Sequence, residues 1–461
     1  MRSSRGLAGL LVLLALPVGL RAQQPDSVPV RDSVARADSM RADSVRRAEL
    51  ARIRGEPRAS ADDPAATLRS STPDESGMIA LAPPPPRLSL NGASIAGDMI
   101  ADLSPKAAAR ANGSRIRLRD IEGSLAAGYG SRLRAVLTLT LTDDGAEQRV
   151  AATDAAVKMM LPLRFTDAEL VIGRTALPFG RSAQLHRHAQ PFPDQPLPVR
   201  VFLGETGLRG TGIQARTRRT LGSAALTVDL ALADRFGARV DSLHPGEPVD
   251  QSLAGMAAGG RVGFELDALG ARLAVGASSI TGKREQPIGC VYDGTVGPVP
   301  CPEGVNAANT RLTVLGADAR AGWGAFGTRF VVSGEWMRMV VGATDLPVFS
   351  NDRFAPFYRG VSGTYDGGYL DAGGRLAGPL IAGARGEWLQ NPEVSGLNDA
   401  WVGGYAGVMP SEGTRVTLSY QRRVPSSTAL AEMTPTLQDA RDRIVLRGTV
   451  VVGLHPGAGR E

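Results

Sequence analysis

The chain has 461 residues, 52 of them basic and 46 acidic, with 43% hydrophobic but only 5% aromatic content and two cysteines. Such a length would suggest about three soluble domains, yet no second composition regime appears after residue 88, so one large domain is expected. The pI near 9.7 is no nucleic-acid footprint, because the two signs are interspersed and no Lys/Arg run carries interleaved aromatics.

At the N-terminus, Arg2 and Arg5 precede an apolar run from Leu7 to Leu20 and the small-residue site Leu20-Arg21-Ala22, the plan of an export signal over residues 1–22. The run is shorter than the ~20 residues that span a bilayer as a helix, and no later segment reaches even that length. Losing Arg2, Arg5 and Arg21 leaves 49 basic residues against 46 acidic ones, a net charge of only +3. Residues 23–87 read as a polar spacer. It repeats Asp26-Ser27-Val28, Asp32-Ser33-Val34, Asp38-Ser39-Met40 and Asp43-Ser44-Val45 at steps of six, six and five. That is not a clean heptad, so a charged helical or disordered segment is expected in preference to a coiled coil. Pro83 to Pro86 close it as a stiff linker.

From 88 to 461 the expectation is all-β: a transmembrane antiparallel β-barrel of about sixteen strands. Arg132 to Thr142 carries the pattern most clearly. Leu133, Ala135, Leu137, Leu139 and Leu141 share one face, and Arg132, Arg134, Thr138, Thr140 and Thr142 the other. The rhythm returns at Leu226 to Leu232, Val262 to Leu266 and Val416 to Tyr420. Short links such as Gly130-Ser131 suit turns at one end, while 181–210, 237–259, 284–309, 345–365 and 425–438 suit outer loops. A soluble sandwich or solenoid is the alternative, and the charged second face argues against it. Two features depart from the barrel pattern: few aromatics for two interfacial girdles, and a terminus, His455 to Glu461, that does not finish on an aromatic.

At Val171 to Arg181 the chain reads Val-Ile-Gly-Arg-Thr-Ala-Leu-Pro-Phe-Gly-Arg. Gly173, Arg174, Pro178, Phe179 and Gly180 match a G-[RK]-x-x-x-P-F-G pattern, which resembles the strand-end motif of phosphate-selective (polyphosphate-type) porins within the outer-membrane porin superfamily. His186 to Arg209 likewise resembles uncharacterised porin-like proteins. The recognisable sequence spans 165 to 215 only. The resemblance implies a loop folded into the barrel to narrow the pore, arginines along the wall, residence in the outer membrane of a Gram-negative-type bacterium, and admits a homotrimer.

The wet faces carry their own arginine series: Arg115, Arg117 and Arg119, then Arg132 and Arg134, Arg216 and Arg218, and Arg261, Arg311, Arg329, Arg385, Arg415, Arg443 and Arg447. Facing a lumen, these would attract anions by charge and by bidentate hydrogen bonding. The alternative is a salt-bridge network with lumen carboxylates such as Glu169, Asp229, Glu265, Asp267, Glu335 and Glu387. Arg115, Arg117, Arg132, Arg134, Arg216 and Arg218 are the candidate selectivity residues. Arg181, His186, His188, Asp194 and Arg200 are the candidate constriction. His186 and His188, two apart, could approach one metal ion with Asp194 near in sequence, but spacing identifies no third ligand, and loop packing is the preferred role. Cys290 and Cys301 read as one disulfide stapling an outer loop of an exported chain. There is no G-x-S-x-G, no H-E-x-x-H and no phosphate-binding glycine loop, so neither an enzyme nor a cofactor is expected. The function expected is passive diffusion of small hydrophilic or anionic solutes across outer-membrane lipid, with a non-conducting structural or ligand-binding barrel as the alternative.

Overall fold

In this computed structural model the described residues are 88–104, 115–143, 148–163, 166–204, 207–234, 236, 255–268, 270–295, 297–302, 307–324, 329–349, 353–358, 362–390, 398–411, 413–425 and 442–453. Residues 1–87, where the export signal and spacer are expected, and those after Gly453 lie outside them. β-Branched Val, Ile and Thr favour a pleated backbone, and the alternating segments form β1 (Leu88–Asp102), β2 (Ile116–Tyr129), β3 (Leu133–Asp143), β4 (Gln148–Leu163), β5 (Thr166–Ala176), β6 (Arg209–Leu221), β7 (Ala224–Ala233), β8 (Ala257–Ala268) and β9 (Ala271–Tyr292). There follow β10 (Ala307–Trp323), β11 (Arg329–Asp345), β12 (Phe354–Tyr358), β13 (Gly363–Ala377), β14 (Leu380–Gln390), β15 (Asn398–Ser411), β16 (Thr414–Pro425) and β17 (Asp442–Gly453). A short helix, α1 (Leu197–Leu203), lies between β5 and β6.

Each strand pairs antiparallel with its neighbour, and β17 returns onto β1, from Ser94 opposite Gly453 to Asp102 opposite Val445. β12 stands outside this ring. It pairs with the far end of β9, while β11 pairs directly with β13. Sixteen strands therefore close the barrel. Closure matters because an open edge in lipid would leave backbone N–H and C=O groups without partners.

The polarity of the two faces is inverted relative to a soluble sandwich. On β3, Leu137 and Leu139 are 40% and 45% exposed on the outside, whereas Thr138 and Thr140 between them are 2% and 9% exposed. Inside, Ser124 and Thr138 hydrogen-bond at 3.0 Å, as do Thr140 and Thr153. An apolar exterior around a polar interior is the polarity of a membrane-spanning barrel. Among the outward-facing aromatics, Tyr129 and the Trp323–Phe330 pair lie near the short-turn rim and Trp388 and Tyr420 towards the loop ends.

Short turns such as 130–132, 222–223 and 378–379 all fall at one end, and Leu88 opposite Tyr129 places the start of β1 at that same rim. Two loop expectations need correction. Residues 284–292 are not loop: β9 continues to Tyr292, held by β12 and by the disulfide between Cys290 and Cys301. Ile288, Cys290, Cys301, Ala308 and Phe349 form a small apolar core there. Residues 181–204 are not an outer loop either, for they run inside the barrel.

Candidate functional site

The chain leaves the wall at the end of β5, and the porin-like motif shows how. Gly173 has φ +130°, and a Cβ there would lie 2.2 Å from the Ala155 carbonyl oxygen on β4. Pro178 and Phe179 are buried, and the Phe179 ring fills the space beside Gly316 on β10. Gly180 has φ +52°, and its N–H donates to Ser278 Oγ at 3.0 Å. The N–H groups of Arg181 and Ser182 then donate to Glu335 Oε1 at 2.7 and 2.6 Å. Two 3₁₀ turns, Ser182–Gln184 and Arg187–Ala189, carry the chain across the lumen.

Pro196 caps α1, Pro198 sits in its first turn, and Gly204, with φ 99°, ends it. Leu197, Val199, Phe202 and Leu203 of this helix join Leu177 and Phe179 against Met337, Met339, Val341, Tyr365, Tyr369 and Leu389 of the wall. Each such side chain, fully buried, is worth roughly 1.5–3 kcal/mol. The Leu197 N–H donates to Glu387, and Arg284 reaches the carbonyls of Val201 and Phe202.

The opposite wall holds the loop by its backbone. Arg447, 0% exposed, donates to the carbonyl oxygens of Gln190 at 2.7 Å, Phe192 at 2.9 Å and Arg187 at 2.8 Å, and to Asp98 Oδ1 at 2.8 Å. Asp98 also takes Arg119. Arg415 donates to the carbonyls of His188 at 2.7 Å and Gln190 at 2.8 Å. Arg385 reaches the Asp194 carbonyl and stacks on Phe192, 4.5 Å from the ring centre, while its other nitrogens pair with Asp371. The Asp194 carboxylate pairs with Arg443 and lies 3.8 Å from Arg200.

His186 Nδ1 meets Glu122 Oε2 on β2 at 2.9 Å, and its Nε2 lies 3.6 Å from Asp154 Oδ2 on β4. His188 stands 3.8 Å from the same Glu122 oxygen and stacks on His186, while Arg209 pairs with Asp154 at 2.7 Å. Asp194 is turned to the arginines, away from these imidazoles. Glu122 and Asp154 were not nominated from sequence. A bulge at Asp98/Met99 against β2 sets Arg119 and Asp120 both inward, which strict alternation cannot show, and Glu122 takes its facing from Asp120.

The candidate selectivity arginines fall at three places. Arg115 and Arg117 bond the carbonyls of Ser104 and Asp143 at the loop end. Arg132 lies in a short turn, with Arg134 just above it on β3. Arg216 and Arg218 pair with Asp229 and Glu265 and line a cavity of about 650 Å³. That cavity lies on the short-turn side of the loop and is roofed by residues from Gly180 to Phe192, Arg181 among them. Of the remaining series, Arg261 pairs with Asp318 at 2.6 Å, and Arg311 faces outward opposite Lys283.

No family model matches the chain, and no curated protein matches it. Among solved structures, an anion-selective porin from Comamonas acidovorans is 13% identical with a TM-score of 0.45, over 80% of this chain and 100% of that one. OprB of Pseudomonas putida is 11% identical, TM-score 0.47, over 80% and 94%. OmpT of Vibrio cholerae, an outer membrane protein, in its trimer form is 9% identical, TM-score 0.48, over 80% and 100%. The closed ladder and the inward loop of this chain decide its architecture. In fold it is a closed antiparallel barrel of sixteen strands with an inward loop.

Proposed function

We propose that the chain is an outer-membrane channel for passive diffusion of small hydrophilic solutes, with the segment between β5 and β6 as its constriction. The observation that carries this is the polar, partly charged inner wall of a closed barrel, with a cavity of about 650 Å³ on one side of an inward loop. Water and ions are tolerated by such a wall, and transport through it needs no covalent chemistry and no cofactor. A modest preference for anions is the finer part of this reading. It rests on the excess of arginine, much of which is already neutralised, as in Arg216–Asp229 and Arg261–Asp318. A homotrimer in outer-membrane lipid is the assembly proposed, and cross-linking in native membranes tests it.

Reconstitution into a planar bilayer tests the function. Stepwise ohmic conductance is expected, and a larger step when residues 184–198 are shortened. A second reading, a barrel closed by its own loop, is favoured by the loop's attachments to strands on all sides of the lumen: β2, β4, β9, β11, β14, β16 and β17. Silence of the wild type beside conduction of the shortened variant is the result that reading expects.

A further inference from the structure

The means by which the loop is held on its second wall differs from that on the first. Against β9–β14 the apolar packing of α1 and Phe179 is the larger attachment, beside the bonds of Arg284 and Arg385 to loop carbonyls and of loop N–H groups to Glu335 and Glu387. Against β16 and β17 it is held by guanidinium groups on backbone carbonyl oxygens, with Arg415 taking His188 and Gln190 and Arg447 taking Arg187, Gln190 and Phe192. A guanidinium on neutral carbonyls has no opposite charge to offset its own and no planar two-oxygen acceptor to match its fork, and an oxyanion supplies both. Arg119, Arg385, Arg415, Arg443 and Arg447 converge on this stretch, whereas the carboxylates paired with them are Asp98, Asp194 and Asp371. Asp120 and Glu387 also stand among these arginines, so what lifting the stretch leaves without an acceptor is the set of carbonyl-bound nitrogens of Arg415 and Arg447.

We infer that Arg415 and Arg447 form a covered oxyanion site whose present occupant is the backbone of residues 187–192, so that a multivalent oxyanion competes with the loop and unlatches it. The proposal rests on the channel reading. It gives these two arginines a gating role that a selectivity filter would not need. Arg415 is the cleaner probe, because its two bonds go to carbonyls, whereas removing Arg447 takes one of the two guanidinium partners from the buried Asp98 and leaves it Arg119 and the Thr449 hydroxyl.

The test compares three proteins in planar bilayers with inorganic sulfate or chloride at matched ionic strength: the wild type, Arg415→Gln, and a variant shortened over 184–198. The wild type should spend more time open as sulfate replaces chloride. Arg415→Gln should raise the open fraction in chloride about tenfold, the scale of losing a charged hydrogen bond, and should blunt the sulfate response. The shortened variant should conduct equally in both salts. A wild type indifferent to sulfate, or an unchanged Arg415→Gln, beside a conducting shortened variant overturns the latch while leaving the channel. Failure of the shortened variant to conduct overturns the channel reading and the latch with it. Because the sulfate titration uses the unaltered protein, poor folding of a variant does not remove the test.

Discussion

Gly180 and Phe179 carry the turn by which the chain enters the lumen, and each does so for a different reason. Gly180 needs a positive φ, and a Cβ on it would come within 2.4 Å of the Glu335 carboxylate that receives the next two N–H groups. Phe179 is fully buried, with Gly316 left without a side chain to make room for its ring. Phe179→Ala should therefore cost about 3–5 kcal/mol of loop anchoring, the range for emptying a buried aromatic site. The check is susceptibility of residues 181–204 to limited proteolysis in detergent-solubilised protein, with heat-modifiability of the barrel on gels as the control. Increased cleavage with an intact barrel is the expected outcome, and unchanged cleavage would remove Phe179 as the anchor. The motif was legible in sequence because its glycines, proline and aromatic serve a local backbone path. The partners of the histidines were not, since Glu122 and Asp154 reach them from β2 and β4, and bulges in both strands shift the facing that simple alternation assigns.

At the scale of elements, the long β9 is an example of tertiary pairing overriding local composition. Residues 284–302 hold several Gly and Pro together with Asp293 and read as a loop, yet the backbone stays extended to Tyr292 because β12 supplies a ladder and Val299 pairs back onto Cys290. The disulfide closes this projection outside the barrel's own ladders, at a Cα separation of 5.0 Å. Cys290 is fully buried and Cys301 nearly so. A thiol-alkylating probe is expected to label neither residue in untreated protein and both after reduction and denaturation. Replacing both by Ser should loosen the tip of β9 and leave barrel closure unchanged, because the β1–β17 seam lies on strands the bridge does not touch. Labelling without reduction would contradict the first expectation, and loss of heat-modifiability in the double variant the second.

At the scale of the molecule, the ring of sixteen strands was legible because lipid outside and water inside impose period-two polarity on every strand. What no strand pattern discloses is the course of residues 177–204, whose contacts are made with walls distant in sequence. Charge follows the same division. The sequence shows many arginines on wet faces, and the structure spends most of them on carboxylates or on the loop: Arg385, Arg415, Arg443 and Arg447 hold the 187–194 stretch, and Arg216, Arg218 and Arg261 have acidic partners. Arg132 lies in the turn 130–132 and Arg134 near the start of β3, at the short-turn end of the wall. Unbalanced charge in a narrow passage is screened less than at an open surface, so even a small excess biases permeation. The expected behaviour is a modest anion preference that declines as salt is added and weakens further when Arg132 and Arg134 are both replaced by Gln. Reversal potentials in a salt gradient measure it directly. Cation preference in the wild type, or an unaltered potential in the Arg132→Gln, Arg134→Gln protein, would mean that the rim arginines do not set the sign of the lumen and that whatever bias exists arises at the loop.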